Sequence, residues 1–389
     1  MKKTSLILAL FLVTIGISAQ EEYKEVKHEK FEYTAEKQHE VVSFDAKEVK
    51  FKKRPKNIII FIGDGMGTAQ VFAGITANGG ELNIQNMPFT GFSKTQSSDN
   101  YITDSAAGGT ALSTGKKTTN GTIGLDSEGN RITSILEYAE RNGKATGLVS
   151  TSAITHATPA SFIAHQPNRI MYEEIAADFM NTDIDLFIGG GADFFTKRVD
   201  GRNLVSELND KGYRIAYNMK EIEPFTKGKL AVLTAIGHNA GYRDRGDMLP
   251  QATSKAIEVL SNADSKGFFM MVEGSQIDWG GHQNDASYST GEVLDLDKAV
   301  GEAIKFALED KRTLIIVTAD HETGGMSVNE GDMNKGYVKA GFTTGDHTAI
   351  MVPVFAIGPG AEEFTGVYEN TEIFEKMYKL FKFKEQDKD

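Results

Sequence analysis

The sequence predicts an α/β protein: a parallel-rich central β-sheet flanked by helices on both faces, forming a three-layer sandwich. Continuous apolar runs, helix-period segments between them, and glycines placed directly after the runs carry this expectation. Asn57 to Ile62 opens the series as an unbroken apolar run, the mark of a strand buried on both faces. Similar runs follow at Ala145 to Val149, Leu186 to Ile188, Leu230 to Leu233, Gly267 to Val272, Thr313 to Val317 and Val354 to Ile357. Helical spacing falls between them at Thr133 to Arg141, Tyr172 to Met180, Thr253 to Leu260 and Thr290 to Leu308. Alternating strands and helices wind into a parallel sheet covered on both sides. The 40 glycines fit the tight turns this winding needs.

The N-terminus reads differently. Lys2 and Lys3 precede an apolar stretch from Leu6 to Ile17, and Ser18-Ala19 stand before Gln20. That order predicts a secretory signal over residues 1–19, cleaved after Ala19, and hence a periplasmic or secreted protein. Residues 20–53 alternate charge and bulk without a helical stripe and read as a charged N-terminal arm. No linker interrupts the remainder, so 54–389 is expected to form a single domain.

Composition excludes several functions. A net charge of −12 with no basic cluster beyond Lys52-Lys53-Arg54 argues against a specific nucleic-acid partner. No later run approaches the ~20 apolar residues of a spanning helix, so no membrane partner is expected after signal cleavage. Cysteine is absent. Disulfides, thiolate zinc sites and cysteine nucleophiles are therefore ruled out, and any metal must rest on nitrogen and oxygen.

Ligands of open α/β sheets bind beyond the carboxyl ends of the strands. Gly63-Asp64-Gly65 follows the first run, and His156-Ala157-Thr158 follows the second. Glu273 follows Val272, with Asp278 and His282 just beyond, and Asp320-His321 closes the Thr313 to Val317 run. A lone Asp there is commonly a turn residue or a helix cap. Four strands delivering acids and imidazoles to one edge are a different matter, because such crowding is costly without cations. The donor set suits zinc, and magnesium where every ligand is oxygen. Asp278 and His282 lie four apart, so one helical turn aims both the same way. The intervening Gly280-Gly281 suggests a backbone pressed against a neighbour. His347 adds an imidazole ahead of the last run, whereas His28, His39, His165 and His238 read as structural or surface residues.

Asp104-Ser105-Ala106-Ala107-Gly108-Gly109-Thr110-Ala111 reads as a turn leading into a helix of small residues. Ser105 there could be an ordinary N-cap. The small neighbours also leave room for an anion at a helix start, and a serine hydroxyl needs a base or a metal to become a nucleophile.

Five segments together carry a resemblance: Gly63-Asp64-Gly65-Met66-Gly67, Thr103-Asp104-Ser105-Ala106-Ala107, Ala157-Thr158-Pro159-Ala160, Val272-Glu273-Gly274 and Thr318-Ala319-Asp320-His321. In this order, from about Lys56 to the C-terminus, the chain resembles the alkaline phosphatases. The resemblance implies hydrolysis of phosphate monoesters through a phosphoserine on Ser105, at a site with two zinc ions and one magnesium ion. It implies Asp278, His282 and His347 at the first zinc, and Asp64, Asp320 and His321 at the second. Asp64 would also reach the magnesium, whose site Thr158 and Glu273 complete and His156 adjoins. Arg169 would clamp the phosphate, which a planar guanidinium can grip through two oxygens. A homodimer is implied as well.

Two positions depart from the best-known bacterial pattern: His156 stands where aspartate occurs, and Trp279 where lysine occurs. Losing the acid opens the third metal's identity to zinc or cobalt, and losing the lysine predicts weaker retention of product phosphate. Related metal-dependent phosphodiesterases and a non-catalytic phosphate or zinc binder on the same scaffold are the competing readings. Sulfatase chemistry built on a modified cysteine is excluded.

Overall fold

The computed structural model describes residues 31–383, so the predicted signal segment and residues 20–30 of the arm lie outside the described residues. Ten strands form the central sheet. Its order from one edge is Gly366–Glu369, Phe89–Lys94, Val352–Ile357, Thr313–Thr318, Asn57–Gly63, Phe268–Gly274, Ala145–Ala153, Leu186–Gly190, Leu230–Leu233 and Arg214–Ala216. All neighbours pair parallel except Val352–Ile357, which runs antiparallel to both Phe89–Lys94 and Thr313–Thr318.

The predicted strands form; Leu230–Leu233 keeps its expected bounds, and Gly267 falls just outside Phe268–Gly274. The strands other than Leu230–Leu233 gain one to four residues at an end, because their terminal residues also pair or sit buried. Phe89–Lys94, Arg214–Ala216 and Gly366–Glu369 were not expected. They are short or lie at or beside an edge, where half-exposed positions break up the apolar run that marks a strand buried on both faces.

Period-two packing explains the sandwich. Ile59 and Phe61 of the central strand enter one core, whereas Ile58, Ile60 and Ile62 enter the other. The first core is roofed by helices Thr68–Ala77, Met248–Ser261 and Ala286–Asp310, the second by Ser105–Thr114, Ile135–Arg141, Tyr172–Asp178 and Thr371–Phe381. Every residue of Asn57–Gly63 is buried.

A small antiparallel sheet sits beside the first helical layer. Glu32–Thr34 of the arm pairs with Tyr337–Gly341, which in turn pairs with Ser327–Asp332. His39 extends this attachment through a 2.7 Å contact with buried Asp297. Among the described residues, no helix is long and apolar enough to cross a membrane.

Candidate active site

The parallel strands end at one edge, and that edge gathers the predicted residues. Asp64 follows Asn57–Gly63, His156 and Thr158 follow Ala145–Ala153, Glu273 ends Phe268–Gly274, and Asp320-His321 follow Thr313–Thr318. The antiparallel direction of Val352–Ile357 returns its starting end to the same edge, which brings His347 in from the opposite chain direction.

Local geometry at this edge is tight. Gly65 has φ +74, and a Cβ there would lie 2.7 Å from the Asp278 Cα, so only glycine allows the close approach. Helix Gln276–His282 carries Asp278 and His282 on one side. Its Gly280-Gly281 pair is pressed on Ser289 and Thr323, where added Cβ atoms would meet the Ser289 nitrogen at 2.4 Å and the Thr323 carbonyl at 2.8 Å.

Three groups of donor atoms lie mutually within 4.8 Å: Asp278, His282 and His347; Asp64, Asp278 and His321; and Asp64, His156 and Glu273. Asp320, expected with Asp64 and His321, places its Oδ2 3.3 Å from the His321 Nε2. Thr158 Oγ1 lies 3.4 Å from Asp64 Oδ2. The sequence-predicted residues are thus brought together, with Asp64 and Asp278 each shared between two groups.

The imidazoles are aimed by backbone carbonyls. His282 Nδ1 lies 2.6 Å from the Gly345 carbonyl, and His347 Nδ1 lies 2.8 Å from that of Thr103. A carbonyl only accepts, so each Nδ1 carries a proton and Nε2 is the atom each ring turns inward. These Nε2 atoms are 3.4 Å from Asp278 Oδ1 and 3.2 Å from each other. Thr323, a position sequence reasoning passed over, donates its hydroxyl to Asp278 and lies 3.2 Å from His321 Nδ1.

Charge crowding is severe. Burial, then the charges of Asp320, Asp278 and Glu273, push Asp64 well above the usual carboxylate range. Burial and the Asp278 charge push Asp320 up to about 7. Burial also pushes Asp278 upward, but the adjacent His282 and His347 outweigh it and hold that carboxyl well below its ordinary value. Burial keeps the His321 imidazole well below its normal value and so neutral. Glu273 Oε2 accepts from Ser150 at 2.7 Å, whereas its buried Oε1 accepts no hydrogen bond of normal geometry. Buried acids with unused oxygens beside inward-facing imidazoles fit divalent cations.

Ser105 is the first residue of helix Ser105–Thr114, and the capping role falls to Asp104, whose carboxylate accepts from the Ala107 amide at 3.0 Å. The serine hydroxyl is thereby left to the site: Oγ lies 3.2 Å from His321 Nε2 and 3.5 Å from Asp64 Oδ1. Arg169 is tied on both sides, with Nη1 3.1 Å from Asp104 Oδ2 and Nη2 3.2 Å from His156 Nε2. Asp104 as the anchor of this guanidinium escaped sequence reasoning, because 65 residues separate the pair.

His238 was expected to be structural or on the surface. Its ring meets both His156 and Trp279 edge-on, at centroid distances of 5.4 and 5.0 Å. It follows the strand Leu230–Leu233, so the strand-end rule that found the other residues also points to it.

Comparison with known proteins identifies the family. A family model described as alkaline phosphatase matches residues 55–339 and 329–383. Alkaline phosphatase 4 of Bacillus subtilis is 34% identical over 85% of this chain and 90% of its own length. The alkaline phosphatase of Escherichia coli is 31% identical over 84% and 86%. Among solved structures, the alkaline phosphatase of the Antarctic bacterium TAB5 is 42% identical, covers 86% of this chain and all of that one, and superposes with a TM-score of 0.81. A variant of that enzyme with one histidine changed to aspartate has Mg bound in its M3 site. With its fold, its serine and its clustered acids and imidazoles, the chain belongs to the alkaline phosphatase family, enzymes that hydrolyse phosphate monoesters.

Proposed function

We propose that the chain cleaves phosphate monoesters by transient phosphorylation of Ser105, with Arg169 gripping the phosphate. Asp278, His282 and His347 would hold one zinc ion, and Asp64, Asp320 and His321 a second. Asp64, Thr158 and Glu273, with His156 alongside, would hold a magnesium ion. The magnesium bound in the M3 site of the histidine-to-aspartate TAB5 variant supports a cation site of this kind beside the two zinc groups. Bound cations would neutralise charge spreading over the phosphate oxygens and acidify the attacking hydroxyl and water.

The residues of the chain do the rest. Ser105 Oγ bonds to phosphorus as the alcohol oxygen of the ester leaves. Water then breaks the bond between Ser105 Oγ and phosphorus, and inorganic phosphate departs. Asp104 holds Arg169 so that its guanidinium faces the phosphate oxygens, and the start of helix Ser105–Thr114 favours the same anion through its amides. One observation carries this reading: a buried serine hydroxyl within 3.2–3.5 Å of His321 and Asp64, where the donor groups meet.

Hydrolysis of p-nitrophenyl phosphate and of its bis-ester tests it. The monoester is the expected substrate, chelation should abolish turnover, and Ser105→Ala should reduce it by at least about 10³-fold. Preference for the diester, or turnover that survives chelation, would overturn the reading.

The same proposal extends to the whole chain: export by residues 1–19, an arm over 20–53, one catalytic domain over 54–389, and a homodimer. Pairing of Glu32–Thr34 with Tyr337–Gly341 supports an arm bound to the catalytic body. Protein recovered outside the cytoplasmic membrane should begin at Gln20 by mass, and sedimentation should give twice the mass of the chain. A retained Met1 or a monomer counts against the corresponding part.

A further inference from the structure

His156 caps the short helix Ala157–Ala160 through its backbone only, since its side chain makes no capping hydrogen bond. Its ring orientation is therefore set by neighbours. On one side stands the Arg169 guanidinium, 3.2 Å from Nε2. On the other, three rings stand mutually perpendicular: His156 and His238 at 85°, His238 and Trp279 at 84°, His156 and Trp279 at 90°. Edge-to-face contacts of this kind favour one ring orientation over its alternatives.

The His238 ring is itself held. Its Nδ1 accepts the Ala153 amide proton at 3.1 Å, which places the ring proton on Nε2. The loop is clamped on both sides of this residue. The Gly237 carbonyl accepts from the Gly191 amide at 2.7 Å, and the Asn239 carbonyl accepts from Gln276 Nε2 at 2.9 Å. The Asn239 side chain accepts from Thr234 at 2.7 Å. This is a fixed wedge: a strand-end loop pinned to the sheet presses an imidazole between the two residues that depart from the familiar bacterial pattern.

We propose that His238 is a positioning residue for the third cation group, keeping the His156 imidazole turned toward Asp64 and Glu273. The inference rests on the metal-dependent phosphatase reading and adds a residue to it. His238 acts through ring contact with His156, so an aromatic ring should substitute for it and a flexible side chain should not.

Trp279 is the single tryptophan of the chain, so its emission reports this corner alone. The zinc-loaded full chain is titrated with CoCl2 while that emission is followed, together with hydrolysis of p-nitrophenyl phosphate. Wild type should show saturable quenching. His238→Ala and His238→Gln should each move the quenching midpoint to about tenfold higher CoCl2, the lower end for loss of a residue that orients a ligand. His238→Phe, which keeps a ring edge, should stay close to wild type. If His238→Ala does not fold, the His238→Gln and His238→Phe pair decides. Equal midpoints in wild type and the ringless variants, or a His238→Phe midpoint as high as theirs, overturns the role of His238. Wild-type emission indifferent to CoCl2 overturns the third cation group and this inference with it, while loss of turnover in wild type would point to the phosphatase reading itself.

Discussion

At the scale of single residues, function depends on side chains whose partners are distant in sequence. Trp279 illustrates this: it is half-buried, it touches His156, and His156 contacts the proposed phosphate clamp. Replacing it with lysine adds a cation near the bound anion. Trp279→Lys should tighten inhibition by inorganic phosphate about fivefold, corresponding to about 1 kcal/mol for a solvated charge pair. Unchanged inhibition constants would remove Trp279 from the account of product release. The candidate residues Asp64, Ser105, Glu273, Asp278, His282, Asp320 and His321 were legible because each follows a strand or falls in a recognisable segment, whereas His347 precedes a strand and was assigned only through the family resemblance. Their orienting partners were not legible. The carbonyls of Thr103 and Gly345 that aim His347 and His282 carry no side-chain signature, and Thr323 looks like any threonine until folding sets it against Asp278.

At the scale of elements, strand direction decides what reaches the site. Val352–Ile357 reads in sequence like its parallel neighbours, yet it runs the other way. That reversal delivers His347 from the residues before a strand instead of after one. Helix Ile135–Arg141 shows how an element stores a pH dependence away from the site. Burial pushes its Glu140 carboxyl from 4.5 up to about 7, with hydrogen bonds from the Asp183 backbone and from the Thr146 hydroxyl at 3.3 Å only partly opposing the shift. Between these two values the unfolded chain releases the proton while the folded chain retains it. Stability therefore falls as pH rises across that window. Glu140→Gln should flatten the pH profile of the denaturation midpoint between pH 4.5 and about 7. A profile that keeps the wild-type slope would assign the dependence to another group.

At the scale of the whole molecule, the two cores and the sheet between them hold the catalytic edge rigid, and a buried ion cluster ties the His238 side to the body. Arg245 bonds Glu292 at 2.6 Å and Asp295 at 2.8 Å, and it donates to the Ala240 carbonyl at 2.8 Å. All three charged groups are nearly inaccessible to water. Arg245→Met would leave two buried carboxylates without their cation, and about 3–5 kcal/mol of stability should be lost in chemical denaturation. A loss below about 1 kcal/mol would show that the cluster is solvated in solution. The identity and order of residues already specified the layered α/β architecture, the serine and most candidate ligands, because burial periodicity and strand-end placement are written locally along the chain. Folding alone decided which acids lie together, that Asp104 and not Ser105 caps the helix, that Asp104 anchors Arg169, and that the His238 ring stands against His156 and Trp279. Those relations depend on distances between residues tens to hundreds of positions apart, and no local pattern encodes such a distance.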